Sequence, residues 1–521
     1  MTPSPAVTAD APAHSQDRPP TVLSALRSPR RLRIELLSGL VVALAMIPEV
    51  LSFSVLAGVD PKVGLFTAVI MAITIAVVGG RPAMVSAAAG ATALVIAPLV
   101  AAHGTDYLVA AVLLAGLMQI VLALLGVARL MRFIPRSVMT GFVNALAVLI
   151  LLAQLPHLVG RDLPWLVYPL LALCLVLLVV VPRLTSAVPA PLVAIVAVTV
   201  LVAVTGWQVP DVADQGELPS SLPVPGLPHV PVTLGTLQII TPYALAMALV
   251  GLMESLLTAK LVDDITDTRS DKTRESWGQG VANLMAGAFG GMGGCAMIGQ
   301  TMVNVKQGGG RTRLSTFSAG VFLLVLVLLL SEAVGRVPMV ALAGVMLAVC
   351  ASTVDWHSLR PSTLRAMPLS ETVVMAVTVV ATVWTHNLAI GVVLGVLTAI
   401  VLFARRVAHL VRVEPEVPTM ADTADGADGA DGGTLTVRRY RVRGQLFFAS
   451  SNDLVHQFDY AGDPEEVVVD LSAAEVWDAS TVAALDAVVT KYAERGKRAR
   501  IVGLDGASAR RMERLSGRLG A

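Results

Sequence analysis

Long apolar runs, separated by short polar or Gly/Pro-rich breaks, fill the chain from about residue 34 to 410, and a more polar stretch follows. Windows such as Ala110–Val127, Leu166–Val181, Pro191–Val204, Phe317–Leu330 and Ile390–Phe403 carry almost no charge. A helix needs about 20 mostly apolar residues to cross a ~30 Å hydrocarbon layer, and shorter ones cross where neighbours shield them. The pattern predicts fourteen crossings, near 34–56, 61–80, 84–101, 107–127, 133–154, 165–182, 189–206, 236–261, 273–290, 294–306, 313–331, 337–352, 369–385 and 387–404. The chain is therefore expected to be a mainly α-helical polytopic membrane protein with a transport-type domain over 31–411.

Two crossings break the pattern. The third carries small residues, Ser86-Ala87-Ala88-Ala89-Gly90-Ala91-Thr92, where a helix should start, and the tenth follows the glycine-rich stretch Gly290–Gly294. Both read as half-helices that begin inside the bilayer. They are equivalent if the chain is a 7+7 repeat; seven being odd, the second half is inverted. Inverted repeats with paired broken helices are a layout of secondary transporters. Close-packed Gly/Ala helices are the alternative. Facing half-helix N-termini at Ala89–Thr92 and Met297–Gln300 would form a positive spot without a fixed cation, which suits a small anion.

Composition sharpens this. The chain is 55% hydrophobic and 14% charged, with mean hydropathy +0.74 and net charge +1, so no global field points to nucleic acid. Cys174, Cys295 and Cys350 lack metal-ligand spacing and read as small buried hydrophobes. No metal motif, nucleotide cradle or catalytic triad is present, and neither enzyme chemistry nor a cofactor is expected. With a cytosolic N-terminus, nearly all Lys and Arg of the membrane region fall in inside loops; Lys62, Arg161 and Arg336 alone fall outside. That is the bias of positive-inside insertion, and it places both termini in the cytosol of an inner or plasma membrane. Residues 1–30 are expected to be a disordered arm rather than a cleavable signal.

Two acids within the apolar region matter most. Glu49 follows Pro48 in the first crossing and Glu254 lies in the eighth, the first crossings of the two halves. An ionised carboxylate there costs on the order of 2.5–3.5 kcal/mol, and burial favours its neutral form. Glu49 is thus the candidate proton carrier, and Glu254, with Thr258 one turn on, a candidate for the coupling site or a gating contact. For both, the alternative is an acid reaching interfacial water. Phe53 shares the Glu49 face and could border a substrate or be core. Gln300 could bond a substrate oxygen or another helix.

The residues then resemble a known family. Ile47-Pro48-Glu49 and Leu56-Ala57-Gly58-Val59-Asp60-Pro61-Lys62-Val63-Gly64-Leu65-Phe66 resemble the signature of the SulP anion transporters, also called solute carrier family 26. Glu254–Thr258, Asp263–Arg269, Gly278–Asn283, Val303-Asn304 and Gly309–Thr312 are similar too. The resemblance implies a core domain moving against a gate domain, usually in a homodimer, and a cargo among chloride, bicarbonate, sulfate and dicarboxylates. Phe53, Ala89, Gly90, Ala91, Thr92, Met297, Ile298, Gly299 and Gln300 are then the expected substrate contacts. Many members have Gln at the position of Glu49 and Arg at that of Gln300; the acid resembles a proton-coupled branch. Met297 and Ile298 stand where sodium-coupled members offer oxygen ligands, which favours protons as the coupling ion.

After an acidic linker over 412–433, residues 434–521 alternate strands (Leu435–Val442, Gln445–Phe448, Glu466–Leu471, Arg500–Leu504) with helices (Ser451–Asp459, Ser480–Ala493, Ala507–Leu515). This small cytosolic α/β layer resembles the STAS domain that ends SulP transporters, and it could take a cytosolic partner. Ser480 reads as the N-cap of its helix or as a phosphorylatable serine. Three functions are carried forward: proton-coupled anion symport by alternating access, sodium-coupled or uncoupled anion transport, and a membrane-anchored regulatory platform.

Overall fold

The structure, a computed structural model, describes residues 21–130, 134–159, 164–184, 189–219, 221–408, 411–416 and 437–517. The expected arm up to residue 20 and the linker over 417–436 lie outside the described residues. The chain divides into two compact units, Met1–Val396 and Leu397–Ala521.

The regular elements of the first unit among the described residues are helices and two short strands. Its main elements are α1 (Pro29–Ala57), α2 (Pro61–Val78), β1 (Ser86–Ala87), α3 (Gly90–His103), α4 (Thr105–Leu124), α5 (Arg136–Leu158), α6 (Val167–Leu184), α7 (Ala190–Thr205), α8 (Leu234–Thr266), α9 (Lys272–Ala288), β2 (Cys295–Ala296), α10 (Ile298–Met302), α11 (Arg313–Leu329), α12 (Met339–Thr353), α13 (Leu369–Thr385) and α14 (Leu388–Ala408), which runs on into the second unit. Among the described residues, seven (α1, α2, α4, α5, α6, α8, α14) have the length and hydropathy to cross a bilayer, and α3, α7, α11, α12 and α13 are shorter apolar helices. The other two expected crossings differ in character. α9 is polar because it buries Glu275, Ser276, Gln279 and Asn283. α10 has five residues and continues as a π-helical turn, Val303–Gln307.

The expected arm over 1–30 is too long. Thr21 and Ser24 form a capping box that starts a short helix, Val22–Arg27, and Pro29 sits in the first turn of α1.

The helices pack in two groups. α1–α4 lie with α8–α11, and α5–α7 with α12 and α13; α1 and α3 make contacts between them, to α7 and α12 and to α5. This is the arrangement implied by core and gate domains. Small residues set the closest approaches: a Cβ on Gly116 of α4 would lie 2.8 Å from the Gly280 carbonyl of α9, and one on Gly280 would lie 2.6 Å from that of Gly116. Such contacts let backbones meet where lipid offers no hydrophobic drive for association.

The second unit has its own core around Tyr440, Val442, Val467, Val469, Leu485 and Tyr492. Its elements are β3 (Arg412–Glu416), β4 (Val437–Leu446), α15 (Phe448–Leu454), β5 (Glu466–Val476), α16 (Ala479–Ala493), β6 (Arg498–Val502) and α17 (Gly506–Leu515). The sheet order is β3-β4-β5-β6, with β4, β5 and β6 parallel and β3 antiparallel at the edge. Three expectations change. The linker does not begin at 412, because Arg412–Glu416 pairs with β4 and Arg441 binds Glu416 at 2.7 Å. The two expected first strands are one, its register shifting between Arg441 and Arg443 and Gly444 taking φ +111. The N-cap of α16 is Asp478, which accepts from the Thr481 amide, while Ser480 lies exposed in the first turn.

Candidate functional site

The segments leading into α3 and α10 cross the interior without helical hydrogen bonds. β1 and β2 pair antiparallel, Ser86 opposite Ala296 and Ala87 opposite Cys295. Non-helical backbone at this depth must find partners within the protein, and polar side chains supply them. Glu275 Oε2 accepts from the Gly80 and Arg81 amides at 2.7 and 2.9 Å. Thr67 Oγ1 accepts from the Met292 amide at 2.9 Å and Ser255 Oγ from that of Ala296 at 3.0 Å. Asn283 clamps Gly294 from both sides, accepting from its amide at 2.8 Å and donating to its carbonyl at 3.1 Å, and also donates to Gln119 at 2.9 Å. Gln279 donates to Ser86 and to Glu275, at 2.6 and 2.8 Å. None of these supports was given a role from sequence, although Ser255, Gln279 and Asn283 lie in the quoted family-like stretches; the signal for those on α9 was Glu275, Gln279 and Asn283 at helical spacing.

The two helices therefore start in the interior, and neither has a side-chain cap. Ala89 caps α3 and Met297 caps α10 with backbone alone. The first intrahelical bonds run from the Ala93 amide to Ala89 and from the Thr301 amide to Met297. The amides of residues 90–92 and 298–300 precede them and form the partly positive ends of two helices.

Those ends border a cavity of about 250 Å³. Of the expected contacts, Glu49, Phe53, Ala89, Gly90, Ala91, Glu254, Met297, Ile298 and Gly299 line it. The opposite wall, which sequence reasoning missed, comes from Phe142, Val143, Leu146 and Ile150 of α5 and Val349, Ser352 and Thr353 of α12. Its signal would have been apolar positions at helical spacing on helices facing α3 and α1. Among the described residues lining the cavity there is no Lys, Arg or His.

Three expected residues lie elsewhere. Thr92 is fully buried and its hydroxyl donates back to the Ala89 carbonyl at 2.9 Å. Thr258 donates to the Glu254 carbonyl at 2.8 Å, one turn below the cavity. Gln300 borders a second cavity of about 550 Å³, which it shares with Glu49, Pro182, Pro189–Pro191 and Gln307.

The two acids differ in setting. Glu49 is half-buried and borders both cavities, the second of them with Gln300, whose side-chain amide donates to the Ala45 carbonyl at 3.4 Å. Gln300 is 1% exposed, and its Oε1 has no partner. Glu254 is 7% exposed, and its Oε2 accepts from the Cys295 thiol at 2.9 Å.

The sequence model described as the sulfate permease family matches residues 32–164 and 163–378, and that of the STAS domain matches 433–516. The chain belongs to the sulfate permease family. It is 48% identical over 485 residues to the "Putative sulfate transporter YbaR" of Bacillus subtilis (strain 168), a match spanning 93% of this chain and 97% of that protein. It is 29% identical to "Bicarbonate transporter BicA" of Synechocystis, over 93% of this chain and 91% of that one. The solved transmembrane domain of a cyanobacterial BicA superposes with TM-score 0.63 at 27% identity, covering 70% of this chain and 97% of that domain. Murine Slc26a9, solved in an inward-facing state, gives TM-score 0.77 at 16% identity over 93% of this chain and 87% of that one, a likeness of fold. This permease-family chain is a multi-pass membrane transporter of anions with a C-terminal STAS domain, and its family is one of transporters rather than enzymes.

Proposed function

We propose that this permease is a proton-coupled symporter of small oxyanions, of the sulfate, bicarbonate or dicarboxylate class, working by alternating access in a plasma membrane with both termini cytosolic. The observation that carries the reading is the cavity itself. Two uncapped helix starts and two carboxyl groups border it, and no cationic side chain does among the described lining residues. An anion beside ionised carboxylates would be repelled in a medium that screens poorly. Protonation removes that repulsion and adds an O–H donor, so anion and proton bind together. The cargo class also fits the printed names of the relatives, sulfate for one and bicarbonate for another.

The lining supports alternating access. It runs from the half-helix starts to Ser352 and Thr353 in the last turn of α12, while the second cavity reaches Pro182 and Pro189–Pro191, where α6 ends and α7 begins. Under the orientation set by the loop charges, both lie toward the cytosol, so Glu49 exchanges its proton with that side in this state. The sodium-coupled alternative is disfavoured. Hard cations take oxygen ligands, whereas the Cys295 sulfur sits 2.9 Å from the Glu254 carboxylate and the Thr258 hydroxyl is turned onto its own helix.

The test is Glu49→Gln in proteoliposomes under an imposed pH step, with sodium absent. Proton-driven accumulation is expected to vanish while the protein remains folded by size-exclusion chromatography. Accumulation at the wild-type rate would remove Glu49 from the mechanism; sodium-dependent accumulation without a pH gradient would favour the alternative.

A further inference from the structure

The connector between α7 and α8 bridges the two helix groups. Its first part sits on the second group. The Val212 amide donates to the Val337 carbonyl at 3.0 Å and the Met339 amide to the Pro210 carbonyl at 2.9 Å, so Asp211 faces Pro338 in an antiparallel bridge at the start of α12. Val212 is fully buried, and Val209, Pro210 and Gln215 border a cavity of about 180 Å³ with Pro156, Val167 and Met339. The carboxylates of Asp211 and Asp214 each accept from the other's amide, at 3.1 and 3.0 Å, which closes the turn Ala213–Gln215. Just beyond that turn the chain rests on the first group. The Lys62 amide donates to the Glu217 carbonyl at 3.1 Å, the Glu217 amide donates to Asp60 Oδ1 at 3.4 Å, and the Lys62 ammonium pairs with the Glu217 carboxylate, all at the turn between α1 and α2. Gly216 joins the two footings with φ +138 and ψ −170, a region open in practice to glycine alone, and a Cβ there would overlap Asp60 Oδ1. Further on, the Gly226 amide donates to the Ala288 carbonyl of α9 at 2.8 Å and the His229 amide to Asp106 of α4 at 3.3 Å, so the connector stays with the first group.

We propose that Val209–Glu217 is a strap that holds the two groups together at the end of the membrane unit away from the cavities, and that its footing on the α1–α2 turn releases, with Gly216 as hinge, each time the central cavity opens there. This rests on the alternating-access reading above and goes beyond it by naming the contact that keeps that end closed. The two ends are marked by α6 and α12. Val167 and Met339, at their starts, meet the strap, while Pro182 and Thr353, at their ends, border the two cavities. The footings differ in strength. The one on α12 combines a buried valine with two backbone bonds in a bridge. The one on the α1–α2 turn has one backbone bond, one long bond to a carboxylate and an ion pair whose side chains are 36% and 75% exposed. Exposed pairs of this kind contribute little. Between Val212 and Glu217 the chain is drawn into a closed turn, so the groups cannot part here without a footing giving way, and the weaker one gives way first. Hinges of domain motions are a few loop residues that absorb a large change in φ and ψ, and glycine does so at the lowest steric cost.

The experiment is a reversible cross-link in the full chain. Lys62→Cys/Glu217→Cys should form a disulfide on mild oxidation, because a backbone bond already holds the two residues side by side. Asp211→Cys/Pro338→Cys, which ties the strap to α12 alone, is the control. The native cysteines are buried. Each pair is combined with Val143→Cys on the wall of the central cavity. A membrane-impermeant maleimide is then applied from the strap's side, the outer face of intact cells under the orientation proposed above, and labelling at position 143 is read by peptide mass spectrometry. In the 62–217 pair, position 143 is expected to be labelled when the pair is reduced, protected when it is oxidised and labelled again after reductant; the control should label in both states. Uptake of radiolabelled sulfate or bicarbonate should follow the same pattern, lost on oxidation of the 62–217 pair and kept in the control. Labelling in the oxidised 62–217 pair, or protection in the oxidised control, overturns the strap and leaves alternating access standing. A 62–217 pair that never cross-links overturns the footing itself. No labelling in any reduced protein overturns both the strap and alternating access.

Discussion

Gly90 offers the sharpest steric test of the cavity. A Cβ at this position would lie 2.7 Å from Phe53 Cε1, 3.1 Å from its Cζ and 3.3 Å from Ile150 Cδ1. Carbon pairs settle at about 3.5–4.0 Å, so Gly90→Ala requires the Phe53 ring to retreat by about 1 Å. Phe53 is 4% exposed and packed within the main apolar core, and its open side is the cavity. The ring must therefore move into the cavity proposed to hold the anion. Overpacking of this kind costs about 1–3 kcal/mol. Taken from binding, that is a roughly 5- to 150-fold weaker affinity. Radiolabelled uptake should show KM rising with Tm nearly unchanged, because the strain is relieved into empty volume. Phe53→Leu, which shortens the obstructing side chain, should restore most of the lost affinity in the double variant, the two residues being in contact and hence coupled. A Gly90→Ala protein with wild-type KM, or a double variant no better than the single, would show that the ring does not border the bound anion.

Other perturbations follow from the same geometry. Asn283→Leu strips partners from the amide and carbonyl of Gly294 and from Gln119; at about 1–3 kcal/mol per buried orphan, thermal-shift assays should show a large loss of Tm. Lys62→Ala breaks an ion pair with Glu217 whose side chains are 36% and 75% exposed, so stability should change by less than about 1 kcal/mol; a larger loss would mean that this contact anchors the connector before α8. In the tail, burial alone would raise Asp470, but the Ser472 amide and hydroxyl with Arg439 and Arg441 outweigh it and hold its carboxyl below the usual range. A depressed group stabilises above its unfolded pKa, near 3.8, and that contribution is lost as pH falls through the lower folded value. Hydrogen exchange of β5 should accelerate in strong acid, and Asp470→Asn should remove that pH dependence. Deleting residues 434–521 should leave pH-driven uptake measurable, since the lining residues lie within the first unit; complete loss with the membrane unit folded would return the regulatory-platform reading.

Legibility from sequence followed the physics of each element. The apolar helices were readable because lipid demands long uncharged runs, and their observed ends fall within a few residues of expectation at α2, α7 and α13. The half-helix starts at Gly90 and Ile298 were readable because small residues and glycines stood where helical pattern should have been. The far wall of the cavity was not, since Phe142, Leu146 and Ile150 look like any buried apolar face until tertiary packing aims them. Thr92 was misassigned for a local reason: a threonine in a helix can bond a carbonyl one turn back, and here it does. Ser480 was misassigned because the helix starts two residues earlier than expected, where Asp478 accepts from the Thr481 amide as its N-cap.

On the proton-coupled reading proposed above, Glu49 and Gln300 together would let one site serve two protonation states. A carboxamide both donates and accepts. With Glu49 ionised, the Gln300 amide, which now donates to the Ala45 carbonyl and borders the same cavity as Glu49, can donate to it. With Glu49 protonated, its O–H can donate to Gln300 Oε1, an acceptor that is buried and without a partner in this structure. Arginine at 300 could serve the first state alone, because a guanidinium has no acceptor and stays charged. Gln300→Arg should therefore hold Glu49 ionised, flatten the pH dependence of uptake and raise affinity for the anion through its fixed charge. Gln300→Glu should do the reverse for the anion, adding a third carboxyl that must be neutralised before cargo binds. Should Gln300→Arg keep the wild-type pH profile, the proton would have to bind somewhere other than the carboxyl it faces.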